Sequence, residues 1–134
     1  TNHLVDPYDS AQDLNARARS YLHSNCSYCH MQAGGGNAMI DLTYLGGSDG
    51  NTHARMKAID EKPMHHTFDL FDARIIASGH PERSVLLSRM SRRGAGQMPQ
   101  LSTSVVDAQA VRMLGQWIES LDGSLNPSLN ASPK

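Results

Sequence analysis

Cys26, Cys29 and His30 fall within five consecutive positions, in the run Cys26-Ser27-Tyr28-Cys29-His30. Two thiols with two residues between them, followed at once by an imidazole, spell C-x-x-C-H, the signature of covalent haem attachment. The spacing has a physical basis. Thiols at this separation reach the two vinyl groups along one edge of a porphyrin and form thioethers. The imidazole that follows then swings under the ring, where one nitrogen binds the iron. Two other chemistries use such a cysteine pair. A thioredoxin-like couple wants its C-x-x-C at a strand-to-helix junction in a βαβ unit, but here a helical pattern precedes the motif and glycines follow it. A zinc site would recruit Cys26, Cys29 and two of the seven histidines, which leaves the adjacency of His30 without a reason.

An iron held by His30 needs its second axial ligand from the opposite side of the ring, and so from a segment far along the chain. Met98 is the expected residue: Gly94 and Gly96 supply a bendable approach, and Pro99 keeps Met98 out of helical geometry. A thioether is a soft ligand that favours ferrous iron and raises the potential relative to a second histidine. Among the other methionines, Met31 is too close to His30 to cross the ring, and Met90 and Met113 fall at core spacing on helical stretches. Met39, Met56 and Met64 lie in an irregular middle stretch, where Met64 beside Pro63 is the strongest alternative. His53, His65 or His66 would instead give bis-histidine coordination and a lower potential, while His3, His23 and His80 read as surface or cap residues. Arg89, Arg92 and Arg93 crowd one helix end, as partners for haem propionates or as solvated charges.

Composition bounds what surrounds these groups. A chain of 134 residues makes one core. Its formal charge of -1 lacks the basic excess that nucleic-acid phosphates demand, and no apolar run is long enough to span a membrane. Two cysteines exclude a multi-bridge disulfide scaffold. Aromatics make up only 5%, so a flat apolar cofactor would fill the core that side chains leave thin. The chain starts at Thr1 without a leader pattern, as a processed protein or a piece of a longer one would.

Elements must then position the motif. From Asp9 to Ser24 the residues Leu14, Ala18, Tyr21 and Leu22 share a helical face, with Asp9 or Ser10 as the expected N-cap. Gly34, Gly35 and Gly36 end the regular structure after the motif by allowing positive φ. Between Asn37 and Gly79 no period holds; Thr52 to Ile59 reads as a short helix and Arg74 to Ala77 as a short extended segment. Pro81 suits a first helical position, and the spacing of Val85, Leu86, Arg89 and Met90 predicts a second main helix from Pro81 to Arg92. Gly94 and Gly96 end it, and residues 97–103 form a loop around Met98 and Pro99. Ser104 and Asp107 match a capping box ahead of a last helix from Val105 to Leu121, with Val111, Leu114, Ile118 and Leu121 on one side and Met113 and Trp117 on an adjoining stripe. Gly115 costs about 1 kcal/mol relative to Ala in a helix interior, which predicts a close crossing with the first helix. Residues 122–134 have the Ser, Asn and Pro content of a tail or linker, leaving 1–121 as the domain.

With the motif, the late Met98-Pro99 and three helices in place, the chain resembles the class I c-type cytochromes over nearly its whole length. The stretch DARIIASGHPERSVLLSRMSRRGAGQMPQLSTSVVDAQAVRMLGQWI, from Asp72 to Ile118, is similar to monohaem cytochrome c domains fused to secreted or periplasmic sugar dehydrogenases and carbohydrate-binding proteins. Those proteins tend to carry a second Pro where Gln100 stands and an acidic cap where His80 stands. The resemblance implies an all-α, cytochrome c-like fold of about three main helices and long irregular loops wrapped around one covalently attached haem c. It makes Cys26 and Cys29 the thioether residues and His30 and Met98 the axial ligands. It further implies a bacterial periplasmic or extracellular location and an electron-transfer module rather than an enzyme. That module is a monomeric domain of a larger protein, relaying single electrons to or from a quinoprotein dehydrogenase, another cytochrome, an oxidase or a secreted copper oxygenase. Were Met98 labile, the open iron position would suit a haem peroxidase or a gas-binding sensor instead.

Overall fold

The computed structural model describes residues 3–46 and 52–122. Regular structure among them is helical: α1 (Leu14–Cys26), α2 (Thr52–Met56), a 3-10 turn (Pro81–Arg83), α3 (Val85–Met90) and α4 (Ala108–Ser120). Extended pairing is confined to two isolated parallel bridges, Ile59 with Ile76 and Arg74 with Ser84. The all-α expectation stands at this level, and Arg74 to Ala77 forms its short extended segment. None of the helices described is long and apolar enough to cross a membrane.

Each main helix starts one turn later than its sequence pattern suggests, for a local reason. Asp9 accepts from the Ala11 amide at 2.9 Å and closes a turn of its own, so Asp13 caps α1 through the Ala16 amide at 2.9 Å. At α4 the cap is Asp107, which accepts from the Ala110 amide at 2.9 Å; Ser104 plays no part. The same Asp107 carboxylate accepts from the Tyr8 hydroxyl at 2.5 Å and from that of Tyr21 at 3.5 Å. Burial, and then Asp107, push the Tyr8 hydroxyl up to about 12. One carboxylate thus ties the lead-in segment, α1 and α4 together.

The second main helix is broken in two. Ser84 stands between the 3-10 turn and α3 in an extended conformation, φ -91° and ψ 112°. Its buried hydroxyl accepts from the Ala77 amide at 2.9 Å and donates to the His80 carbonyl at 3.1 Å. These bonds dock the 74–77 segment and cost the helix its continuity, since an extended residue cannot carry the helical ladder.

Packing converges on α4, against which both α1 and α3 lie. Trp117, only 1% exposed, donates through Nε1 to Asn15 Oδ1 of α1 at 3.0 Å. The same oxygen meets His53 Nε2 of α2 at 2.9 Å, so that nitrogen carries a proton and donates. Gly115 does not mark the α1 crossing: a side chain there would meet Leu87 of α3 at an ordinary 3.8 Å. The irregular middle contributes more to the core than its lack of period suggests, with Leu42, Tyr44, Met56, Ala58, Ile59, Ile76 and Ala77 all buried. Arg19 is buried too, with its guanidinium 5.1 Å from the Tyr44 ring centre and donating to the Thr43 carbonyl at 2.9 Å. Burial pushes it down to about 10, and it stays charged at neutral pH. Leu121, buried, closes α4; the expected tail lies, beyond Asp122, outside the described residues.

Candidate functional site

The helix α1 runs directly into the cysteine motif and ends on Cys26, two residues past its expected end. The Cys29 amide donates to the Cys26 carbonyl at 3.2 Å, and the His30 amide to the same oxygen at 2.9 Å. The motif therefore continues the curl of α1 by one more turn. Ser27 anchors that turn from within, its amide and hydroxyl both donating to the His23 carbonyl, at 3.3 Å and 2.6 Å. His30 in turn offers its carbonyl to the Leu42 amide at 2.8 Å, which pins the end of the motif to the buried Leu42.

Cys26 and Cys29 are free thiols. Burial, and then Cys29, push the Cys26 thiol up to about 11, so it is protonated at neutral pH. A redox-active cysteine needs the opposite, a depressed pKa, and helix N-termini favour that state. Cys26 sits at a C-terminus, whose partial negative charge disfavours a thiolate. Among the described residues no three His, Cys, Asp or Glu side chains gather as metal ligands. The raised Cys26 pKa counts against the thioredoxin-like reading.

The glycines after the motif serve close approach as well as backbone freedom. Gly35 alone of the three has positive φ, +89°. A Cβ on Gly34 would lie 2.6 Å from the Cys29 carbonyl oxygen; one on Gly36 would lie 2.8 Å from the same oxygen and 2.9 Å from His30 Nδ1. The Gly36 amide also donates to that Cys29 carbonyl at 2.9 Å. The chain thus folds back over the motif and covers one side of the imidazole. His30 Nδ1 is buried there with no hydrogen-bond partner among the described residues, leaving Nε2 as the nitrogen a metal would reach. Burial, and then the charge of Arg89, lower the His30 pKa below its ordinary 6.5, which keeps the ring in the neutral form that binds metals.

Met98 lies in the loop after α3, half-buried, with a cis bond to Pro99. Its amide donates to the Arg89 carbonyl at 3.1 Å, and its carbonyl accepts from Arg93 at 3.4 Å. Arg89 is the link between the two regions, bonded to Met98 and close enough to His30 for its charge to act on the ring. The other methionines divide cleanly. Met56, Met90 and Met113 are core residues, and Met31, Met39 and Met64 are exposed.

Four of the remaining histidines, His23, His53, His66 and His80, have contacts elsewhere. Asn15 engages His53, and His23 Nδ1 accepts from the Tyr44 amide at 2.9 Å, making it more than a surface residue. His66 Nδ1 accepts from the Phe68 amide at 2.8 Å; His65 is exposed. His80 pairs with Glu82 at 3.0 Å. The arginine cluster has an unforeseen neighbour, Phe68, with the guanidinium carbons of Arg92 and Arg89 at 3.9 and 4.8 Å from its ring centre. The ion pairs among the described residues lie elsewhere, at Asp72 with Arg74 and Arg83 and at His80.

The residues present suit a covalently held haem: two thiols spaced for two thioethers, a neutral imidazole backed by glycine, and a thioether on a loop tied to Arg89. Sequence reasoning read Gly36 only as a stop and Arg89 only as a propionate partner or solvated charge, and it missed Phe68. The run of three glycines and the crowding of Arg89, Arg92 and Arg93 were the signals; Phe68 had none. Comparison with family models, with curated proteins and with solved structures finds no match.

Proposed function

We propose that this chain is a monohaem c-type cytochrome domain of the class I, cytochrome c-like kind, and that it carries single electrons between redox proteins. The observation that carries the reading is the cysteine motif at the end of α1, with His30 held neutral and walled by Gly36 on its Nδ1 side. Bound haem supplies the reversible ferric–ferrous couple. Cys26 and Cys29 would hold it by thioethers, and the protonated state of Cys26 suits this, because adding an S–H bond across a vinyl group needs no external oxidant. His30 would hold the iron through Nε2, and Met98 would give its sulfur as the second ligand. With both positions taken by the chain, none would be left for a substrate, and the domain would transfer electrons without bond chemistry. The glycine fold over Cys29 and His30 and the backbone bonds of Met98 keep both ligands in place through each cycle, which limits reorganisation.

On this reading the domain works in the bacterial periplasm or outside the cell, within a larger protein whose partners are a quinoprotein dehydrogenase, another cytochrome, an oxidase or a secreted copper oxygenase. Electron-transfer encounters of this type use small interfaces, and a formal charge of -1 gives no long-range steering. The test is spectroscopic. Protein from a host that attaches haem should be low-spin in both oxidation states, titrate reversibly by one electron and bind carbon monoxide slowly. A high-spin ferric form that takes up carbon monoxide or cyanide at once would indicate a labile Met98 and a peroxidase or sensor.

A further inference from the structure

Phe68 has a role that its sequence neighbourhood conceals. Between Met64 and Phe71, themselves 77% and 86% exposed, Phe68 alone of the aromatic residues turns inward, half-buried. It does so at a backbone cost: Phe68 and Asp69 both have left-handed φ, +54° and +58°, a conformation that non-glycine residues hold only where surrounding structure enforces it. The enforcing contacts crowd the ring and its edge. His66 lies 4.4 Å away, centre to centre, and the guanidinium carbons of Arg92 and Arg89 stand at 3.9 and 4.8 Å. The ring edge presses on Gly96 so closely that a Cβ there would fall 2.7 Å from Cε1 and 2.9 Å from Cζ.

Arg89 passes this contact on. Its Nη1 donates to the Gly96 carbonyl at 3.1 Å, and its own carbonyl takes the Met98 amide at 3.1 Å. We propose that Phe68 is a positioning residue for Met98: its ring closes on Gly96 and braces the Arg89 side chain, and Arg89 fixes the Met98 backbone. The inference rests on the reading of Met98 as an iron ligand. It makes the 66–69 turn the latch that decides whether the sulfur stays bound or the iron opens to small molecules.

The experiment compares wild type, Phe68→Ala, Phe68→Leu and Phe68→Tyr as full chains produced with haem attachment. Phe68→Leu keeps apolar bulk and removes the ring faces, and serves where the alanine variant folds poorly. Both should retain covalent haem, lose or weaken the methionine–iron charge-transfer band, and bind cyanide in the ferric state about tenfold faster or more, the scale of two lost cation–π contacts. Phe68→Tyr restores both signals. A folded Phe68→Leu with the wild-type band and cyanide rate overturns the latch. If wild type itself carries no covalent haem, the functional reading fails, and hydrogen exchange of the Met98 amide judges the latch alone: faster in Phe68→Leu supports it, unchanged rejects it.

Discussion

The two loops that bring the proposed ligands are both rich in glycine and are held in different ways. Around His30 the restraints are backbone and space: carbonyls of Cys26, Cys29 and His30 are each taken by a main-chain amide, and Gly34 and Gly36 leave no room for a side chain. Around Met98 a backbone bond from its amide to the Arg89 carbonyl is supplemented mainly by side chains. Gln97 Oε1 accepts from the Gly94 amide at 2.7 Å, and its Nε2 donates to the carbonyls of Pro99 and Thr103 at 3.0 and 3.1 Å, while Arg89 and Arg93 hold Gly96 and Met98. Gly94 and Gly96 are there for positive φ, +101° and +82°. A backbone-built site fixes one ligand nearly independently of side-chain choice. A side-chain-built site lets substitution tune how firmly the other ligand is held.

The largest way to break the histidine side is Cys26→Ala with Cys29→Ala, which should abolish haem stain on denaturing gels; stain that persists would refute the thioether assignment. On the methionine side, Met98→Ala should remove the methionine–iron charge-transfer band and lower the reduction potential, because a strong determinant of the potential is the axial ligand. If neither moves, another residue is the ligand. Gly36→Ala sharpens the contrast: it forces a Cβ against the Cys29 carbonyl and His30, at a cost of about 1–3 kcal/mol by urea unfolding, whereas Gln97→Ala should spare the His30 loop. Away from both loops, Asp107→Ala removes the α4 cap and should cost about 1 kcal/mol in the same assay.

The smallest effect concerns pH. Burial, and then Arg19, lower the His53 pKa below its ordinary 6.5. Below that value the unfolded chain binds a proton that the folded one refuses, so stability contributed by His53 is full above pH 6.5 and declines as pH falls toward the folded pKa. In His53→Gln the fall in urea midpoint between pH 7 and pH 5 should be shallower; an equal slope in the variant would remove His53 from the account.

Much of this scaffold was legible because it rests on local pattern. The apolar stripes of α1 and α4 and the glycine stops around Met98 are short-range features, and the structure has helices and turns there. The N-caps were harder: Asp9, Ser10 and Asp13 all offer capping oxygens, and which one meets a free amide depends on where the preceding turn closes. Ser84 could not be read as a helix breaker because its partners, the Ala77 amide and the His80 carbonyl, are brought to it by a segment with no helical or strand period. Leu42, Tyr44 and Ile76 are buried by the same non-local packing. Cys26, Cys29 and His30 stood out because their chemistry depends on spacing alone. Phe68 acts through contacts with Arg89, Arg92 and Gly96 in a segment well beyond its own turn, and no local pattern announces it.

The most direct test is the intact mass of the wild-type chain, made in a host that attaches haem and measured under denaturing conditions. The account predicts one added macrocycle that denaturant does not release. A mass equal to the bare polypeptide, from a host shown to mature another c-type cytochrome, would contradict it.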